Sequence, residues 1–301
     1  MQSSTPGDMR PVFGRVTTAM ITPFTEDLRL DLDKAAALAR HLVDDLGHDG
    51  LIVNGTTGES PTTSDEEKRD IVRVVVEAVG DRASVVAGVG TFSTEHSQRL
   101  AVAAAEAGAD GVLIVTPYYS RPPADALEQH FRTVADETDL PAMLYDIPHR
   151  SGLPIPEDML IRLAEHPRIV AVKDAKGAIA SSSVVIAGSG LHYYSGDDAF
   201  TLPLLAVGGV GVVGTSTHFT ARPMRRMIET FLAGDVQEAC RLNQRLLPAL
   251  TGVFATQGCM MVKAALGARG RDVGGCRAPM GTPPAETVAA YVSTLAAYDD
   301  L

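Results

Sequence analysis

The stretch "IVAVKDAK", residues 169–176, is a short apolar run that ends in a lysine. Its β-branched residues suit a strand covered on both faces. An ammonium is costly to desolvate unless something uses it, so Lys173 at the end of such a strand needs a reason. Working outward, the run is the sixth of eight. The others are "VTTAMIT" (16–22), "GLIVNG" (50–55), "SVVAGV" (84–89), "GVLIVTP" (111–117), "PAMLYDI" (141–147), "LHYYSG" (191–196) and "GVGVVGT" (209–215). Between and after them the spacing predicts helices near 33–46, 65–79, 95–107, 124–138, 156–166, 178–188, 198–206 and 220–233. In "TSDEEK", Ser64 with Glu67 three residues on forms a capping box. "GHDG" (47–50) and "GADG" (108–111) read as helix C-caps.

Eight strand-then-helix units in about 230 residues are the count for a closed parallel (β/α)₈ TIM barrel. The rival, a doubly wound sheet, places a glycine-rich phosphate loop after its first strand, and here that strand ends in "ITPF". "GVGVVG" (209–214) formally matches GxGxxG. It falls in the eighth strand with no helix directly after it, which argues against a dinucleotide site. Two or three more helices are predicted near 235–251, 256–267 and 284–298. The expected organisation is a catalytic barrel over 12–233 and a C-terminal helical domain over 234–301.

The bulk numbers narrow the class. The chain has 301 residues, 45% of them hydrophobic, enough for a sizeable core. A net charge of −11 argues against nucleic acid or an anionic membrane as partner. Cys240, Cys259 and Cys276 form no disulfide framework and no zinc spacing, so a reducing cytosol is expected. The opening "MQSSTPGDMRPVFGR" has no signal-peptide core, and no stretch approaches the ~18 apolar residues of a membrane span.

The chain has five lysines. Lys34, Lys68, Lys176 and Lys263 fall in helix patterns or a loop, where a solvated lysine is the ordinary reading; Lys173 alone closes an apolar strand. At the C-terminal end of a barrel strand a lysine is partly desolvated, its pKa falls, and its neutral amine can attack carbonyls. The alternative is a structural lysine paired with Asp174 or Asp146. "GTTG" (55–58) after the second strand offers backbone N–H groups and two hydroxyls as a carboxylate cradle, or is a simple turn. Tyr145 could shuttle protons beside an imine or be a core aromatic. Arg150 could fork a substrate carboxylate or be a solvated loop charge. Asp197 and Asp198 read as a loop cap in preference to a metal pair.

With "GTTGES", "VTPYYSRP", "LYDIPHRSG", "VKDAKG" and "YYSGDDA" in order, the chain resembles the dihydrodipicolinate synthase / N-acetylneuraminate lyase family of class I aldolases. The likeness runs from about residue 12 to 250, with the last ~50 residues fitting less well. The resemblance implies a TIM barrel with C-terminal helices and condensation of pyruvate with aspartate 4-semialdehyde in the diaminopimelate/lysine pathway, without cofactor or metal. It implies that Lys173 forms the Schiff base with pyruvate and that Thr56 and Thr57 bind its carboxylate. Thr56, Tyr145 and Tyr119 would form a proton relay, with Tyr119 reaching into the neighbouring subunit of a dimer of dimers. Arg150 would hold the semialdehyde carboxylate, and Gly196 and Val213 would line the pyruvate pocket.

There are departures. Asp146 stands where many relatives have asparagine, Asp174-Ala175-Lys176 where many have Glu-Ala-Thr, and "GCMMVK" (258–263) where "NPIPVK" is common. Lysine-inhibited relatives hold that ligand with small, polar and acidic groups; Pro61, Asp65, Lys68, Phe92 and His96 at the matching positions predict a poor lysine site. Two other functions remain open at this point: a retro-aldolase or dehydratase acting on a 2-keto-3-deoxy sugar acid, and a non-catalytic regulator that binds a keto acid.

Overall fold

The structure, a computed structural model, describes residues 11–298; the opening residues 1–10, read above as lacking a signal-peptide core, lie outside them. In chain order the elements are β1 (Val16–Ala19), α1 (Leu32–Arg40), β2 (Gly50–Val53), α2 (Asp65–Val79), β3 (Ser84–Gly88), α3 (Thr94–Glu106), β4 (Gly111–Val115), α4 (Ala124–Asp136), β5 (Ala142–Asp146) and α5 (Pro148–Ser151). There follow α6 (Glu157–Leu163), β6 (Ile169–Asp174), α7 (Ile179–Gly188), β7 (His192–Ser195), α8 (Thr201–Ala206), β8 (Gly211–Gly214), α9 (Thr217–Leu232), α10 (Val236–Gly252), α11 (Gly258–Ala268) and α12 (Ala285–Ala296). The eight strands pair in parallel and in order, and β8 closes onto β1 through Thr17 opposite Val213. This is the expected (β/α)₈ barrel.

Strand periodicity sorts the residues into two apolar layers. Ala19, Ile52, Val86, Leu113, Met143, Tyr145, Ala171, Tyr194 and Val213 alternate inward and fill the barrel, with Phe13 among them. Tyr194 turns its hydroxyl to the Phe13 N–H at 3.1 Å. The intervening positions, such as Leu51, Val85, Leu144 and Val172, pack outward against the helices. The same period points Lys173 inward, two residues after Ala171. The outer layer also takes in Met261, Val262, Leu266, Tyr291 and Leu295, so α11 and α12 share their apolar cluster with the barrel.

Local signals hold where they were sharp. The Ser64 hydroxyl accepts the Glu67 N–H at 3.2 Å and the Ser64 N–H donates to the Glu67 carboxylate at 2.9 Å, a box whose loss costs about 0.5–2 kcal/mol. Gly47 and Gly108 adopt the left-handed φ of +76° and +87° expected of C-caps. Three helices differ in detail. The turn after α1 widens over His41–Asp45, a single 3₁₀ turn (Asp198–Phe200) precedes α8, and α9 opens at Thr217, earlier than expected. In "GVGVVG" the glycines lie in and before β8 and do not form the strand–helix turn that would cradle phosphate. The short α5 was not anticipated; Pro148 fixes its start and Gly152, at φ +90°, ends it.

Three lysines expected in solvent are buried. Lys68 is 7% exposed and donates to the Thr63 carbonyl. The Lys176 ammonium lies 3.3 Å from Asp146, and Lys263 pairs with Glu59. Helix and loop spacing report only local exposure; Lys68 turns back to the approach of its own helix, while Lys176 and Lys263 find their partners on other elements. Among the described residues no helix is long and apolar enough to cross a membrane.

Candidate active site

Lys173 is the last residue but one of β6, opposite Tyr145 of β5 and Tyr194 of β7. It is 5% exposed, and its Nζ sits 4.3 Å from the centre of the Tyr145 ring. The two carboxylates that could have neutralised it are engaged elsewhere. Asp146 turns outward to Lys176 and to the Ile155 N–H; Asp174 accepts the Ser182 hydroxyl and the Lys176 N–H. Burial lowers the Lys173 ammonium to about 8; the Asp198 carboxylate opposes this and the Arg150 charge adds to it. Lys176 lies in the loop after β6, as expected, but its ammonium is held at Asp146, which removes it as a competing nucleophile.

The Tyr145 hydroxyl is also buried, and burial pushes it up to about 12, opposed by its hydrogen bond with the Thr56 side chain and by the Arg150 charge. Thr56 and Thr57 stand in the turn after β2, and three contacts hold that turn. Asn54, at φ +58°, donates its side-chain N–H to the Lys68 carbonyl at 2.9 Å. Thr22 donates to the Gly58 carbonyl at 2.7 Å. Gly88 of β3 lets the turn approach, since a Cβ there would lie 2.3 Å from the Asn54 oxygen.

Two adjoining cavities open at the C-terminal strand ends. One, of about 540 Å³, is bordered by Thr56, Thr57, Tyr145, Arg150, Lys173 and Gly196. The other, of about 290 Å³, shares Thr56, Tyr145 and Arg150 with it. Gly196 must be small, because a Cβ there would lie 3.0 Å from Lys173 Cγ. Arg150, on α5, is exposed at the mouth. The assembly places a nucleophilic amine beside a hydroxyl pair and a phenol, with a guanidinium at the entrance. That combination suits carbonyl addition followed by proton transfer.

Two expected residues lie apart. Val213 borders neither cavity; β8 turns it inward into the apolar plug below. Tyr119 is 94% exposed at φ +76° in the loop between β4 and α4, and borders neither cavity of its own chain. Asp197 and Asp198 serve as caps. Asp197 accepts the Ala199 N–H at 3.0 Å, and buried Asp198 accepts the N–H groups of Thr215 and Ser216. Neither belongs to a group with metal-ligand spacing among the described residues.

Sequence reading missed the wall made by the C-terminal helices, where Leu250, Phe254 and Gln257 border the larger cavity. It also missed Thr215, whose hydroxyl lies 3.5 Å from that of Thr57. No local pattern announces a residue that reaches a site across the barrel.

Residues 12–297 match the model of the dihydrodipicolinate synthetase family. The match takes in the C-terminal residues expected to fit less well. The chain is 60% identical over 276 residues to 4-hydroxy-tetrahydrodipicolinate synthase 2 of Streptomyces coelicolor, covering 91% of this chain and 92% of that one. A crystal structure of DHDPS from Cyanidioschyzon merolae with lysine bound superposes with a TM-score of 0.93 at 39% identity, covering 95% and 98% of the two chains. The chloride-inhibited dihydrodipicolinate synthase of Acinetobacter baumannii, solved with pyruvate, gives 0.90 at 29% identity over 94% and 99%. The chain belongs to the dihydrodipicolinate synthetase family.

Proposed function

We propose that the chain condenses pyruvate with aspartate 4-semialdehyde through an imine on Lys173, as its family and the names of its relatives suggest. The observation that carries this reading is the buried Lys173 amine, free of any carboxylate partner among the described residues and lowered to about 8 at the barrel mouth. Its neutral form attacks the pyruvate ketone, and loss of water leaves a cationic iminium that draws electrons from the methyl group. Loss of a methyl proton gives an enamine, which attacks the aldehyde of the second substrate. The α-amino group that the semialdehyde carries then attacks the imine carbon, closing the ring, and expels the Lys173 amine. Each step moves a proton, which is the role of Tyr145 with Thr56 and of Tyr119 from a neighbouring subunit. The Thr56–Thr57 turn receives the pyruvate carboxylate beside Gly196. A cytoplasmic dimer of dimers is the assembly in which Tyr119 completes a neighbour's site. An assay with both substrates, alongside borohydride trapping with pyruvate alone, tests the whole reading. Trapping without condensation would favour the sugar-acid alternative, and no trapping the non-catalytic one.

Arg150 is the specificity test. Arg150→Ala removes a charge-assisted fork typically worth ~1.5–3 kcal/mol, about 10- to 150-fold. The loss is expected in the semialdehyde dependence, with pyruvate trapping intact. Equal failure of both would make Arg150 structural.

Lysine is expected to inhibit weakly. Asp65, the acid among the matching positions, is paired with His96 at 2.9 Å, Lys68 brings a like charge, and Phe92 packs edge-on against Tyr118 at 5.6 Å. A bound ammonium would lack the acceptors that repay its desolvation. Titrating lysine to millimolar levels at saturating pyruvate should leave the rate nearly unchanged; sub-millimolar inhibition would mean that other residues build the pocket.

A further inference from the structure

Two of the cysteines face each other beside the smaller cavity. Cys259, in the first turn of α11, is 1% exposed and borders that cavity with Glu59, Gln257 and Met280. Cys276 is half-buried in the irregular stretch before α12. Their sulfurs are 4.0 Å apart, with the Cys276 S–H donating to Cys259. Glu59 completes a group whose ligand atoms lie within 4.8 Å of one another. Glu59 is itself an anchor. It closes the turn that carries Thr56 and Thr57, at φ +55°, and pairs with Lys263 at 2.5 Å. It also accepts the Arg277 N–H at 2.8 Å, while the Arg277 guanidinium grips Glu67 at 2.6 and 2.7 Å.

We propose that Cys259 and Cys276 form a peroxide-reactive thiol pair, a modification site that closes to an intramolecular disulfide and loosens the Glu59 anchor of the Thr56–Thr57 turn. Cys259 is the attacking sulfur. The Cys276 hydrogen bond lowers its pKa against the effects of burial and of the Glu59 carboxylate, and the Lys263 charge contributes less in the lowering direction. The Cys259 thiol and a hydroperoxide ROOH give a sulfenic acid and ROH. The S–O bond forms, the O–O bond breaks, sulfur loses two electrons and the peroxide gains them. The Cys276 thiol then attacks the sulfenic sulfur. The S–S bond forms, the S–O bond breaks and water leaves, so two thiols and ROOH become a disulfide, ROH and water.

A bonded pair requires about 2 Å between sulfurs, so the two must approach from 4.0 Å. Cys259 is held in a helix, so the movement falls on the stretch containing Gly274, Gly275 and Cys276. Arg277, next in the chain, carries the N–H that holds Glu59. A cation suits this group less well, because the Lys263 ammonium, 2.5 Å from one Glu59 oxygen, would repel it, and the other oxygen accepts the Arg277 N–H.

The test uses the reduced full-length chain and a few equivalents of hydrogen peroxide. Peptide mapping should find Cys259 linked to Cys276 with loss of two hydrogens, Cys240 still alkylatable, and full reversal by dithiothreitol. Cys276→Ser should stop at a sulfenic acid on Cys259, trapped by dimedone. The KM for pyruvate should rise several-fold in the linked form and fall back on reduction; this arm alone rests on the pyruvate reading of the Lys173 site, whereas the mapping needs no substrate. Both cysteines alkylatable after peroxide, or zinc bound by the pair in the isolated protein, would overturn the site. A linked peptide with unchanged KM would overturn its coupling to the Thr56–Thr57 turn.

Discussion

Borohydride reduction of the protein incubated with pyruvate is expected to leave a pyruvate-derived adduct on the peptide holding Lys173, and Lys173→Ala is expected to abolish both adduct and condensation. Removing a nucleophile costs of order 10⁴-fold or more. An adduct on Lys176, or none, would sink the assignment. The pH dependence follows from burial. With Lys173 at about 8, about a tenth of its amine is neutral at pH 7, against well under a thousandth for an ordinary lysine. Trapping should therefore speed up nearly tenfold per pH unit below about pH 7, about fivefold from about 7 to about 8, and level off above that. The same shift has a stability consequence. A lysine whose folded pKa is depressed binds fewer protons folded than unfolded between about 8 and its ordinary value. Stability from this group is therefore lowest below about 8 and rises with pH through that window. Lys173→Met should raise the unfolding free energy at neutral pH, by up to about 3 kcal/mol, while eliminating activity. A denaturant melt of the inactive variant checks this, and a less stable Lys173→Met would show that the ammonium is better compensated than its surroundings suggest.

Mixing Tyr119→Phe and Lys173→Ala subunits is expected to restore activity that neither has alone. Tyr119 is nearly fully exposed and held at a positive φ that a bulky residue seldom adopts. An exposed aromatic in such a conformation is poorly explained by its own chain. In our reading it supplies a proton-relay hydroxyl to a neighbour, and Tyr119→Phe should lower the rate by about 10²- to 10⁴-fold. Random pairing makes half the dimers hybrids. One of the two sites in each hybrid is intact, so about a quarter of the wild-type rate should return. No recovery from verified hybrids would place Tyr119 outside the site.

Much of this was legible in the chain because it is encoded locally. Alternating apolar runs and capped helices announced eight units, and a run as short as "IVAVKDAK" placed Lys173 at a strand end. Period two then decides which strand residues point inward, and that is why Tyr145 and Lys173 meet on neighbouring strands in register. Val213 obeys the same rule, yet its height in the barrel put it in the plug below the cavities. Height depends on the stagger of all eight strands, which no single run carries.

The sequence by itself therefore determined the barrel, the order of its elements and the strand end that carries the amine, because periodicity, caps and turns act over a few residues. Only the tertiary structure decided which charges are buried and what they meet. Lys176 pairs with Asp146 across two strands, Lys263 with Glu59 across some two hundred residues, and Cys259 faces Cys276 beside that pair. Each depends on helices and loops being brought together by barrel closure, and the low dielectric created there makes the partner, rather than the residue's own neighbours in the chain, decide its charge and reactivity.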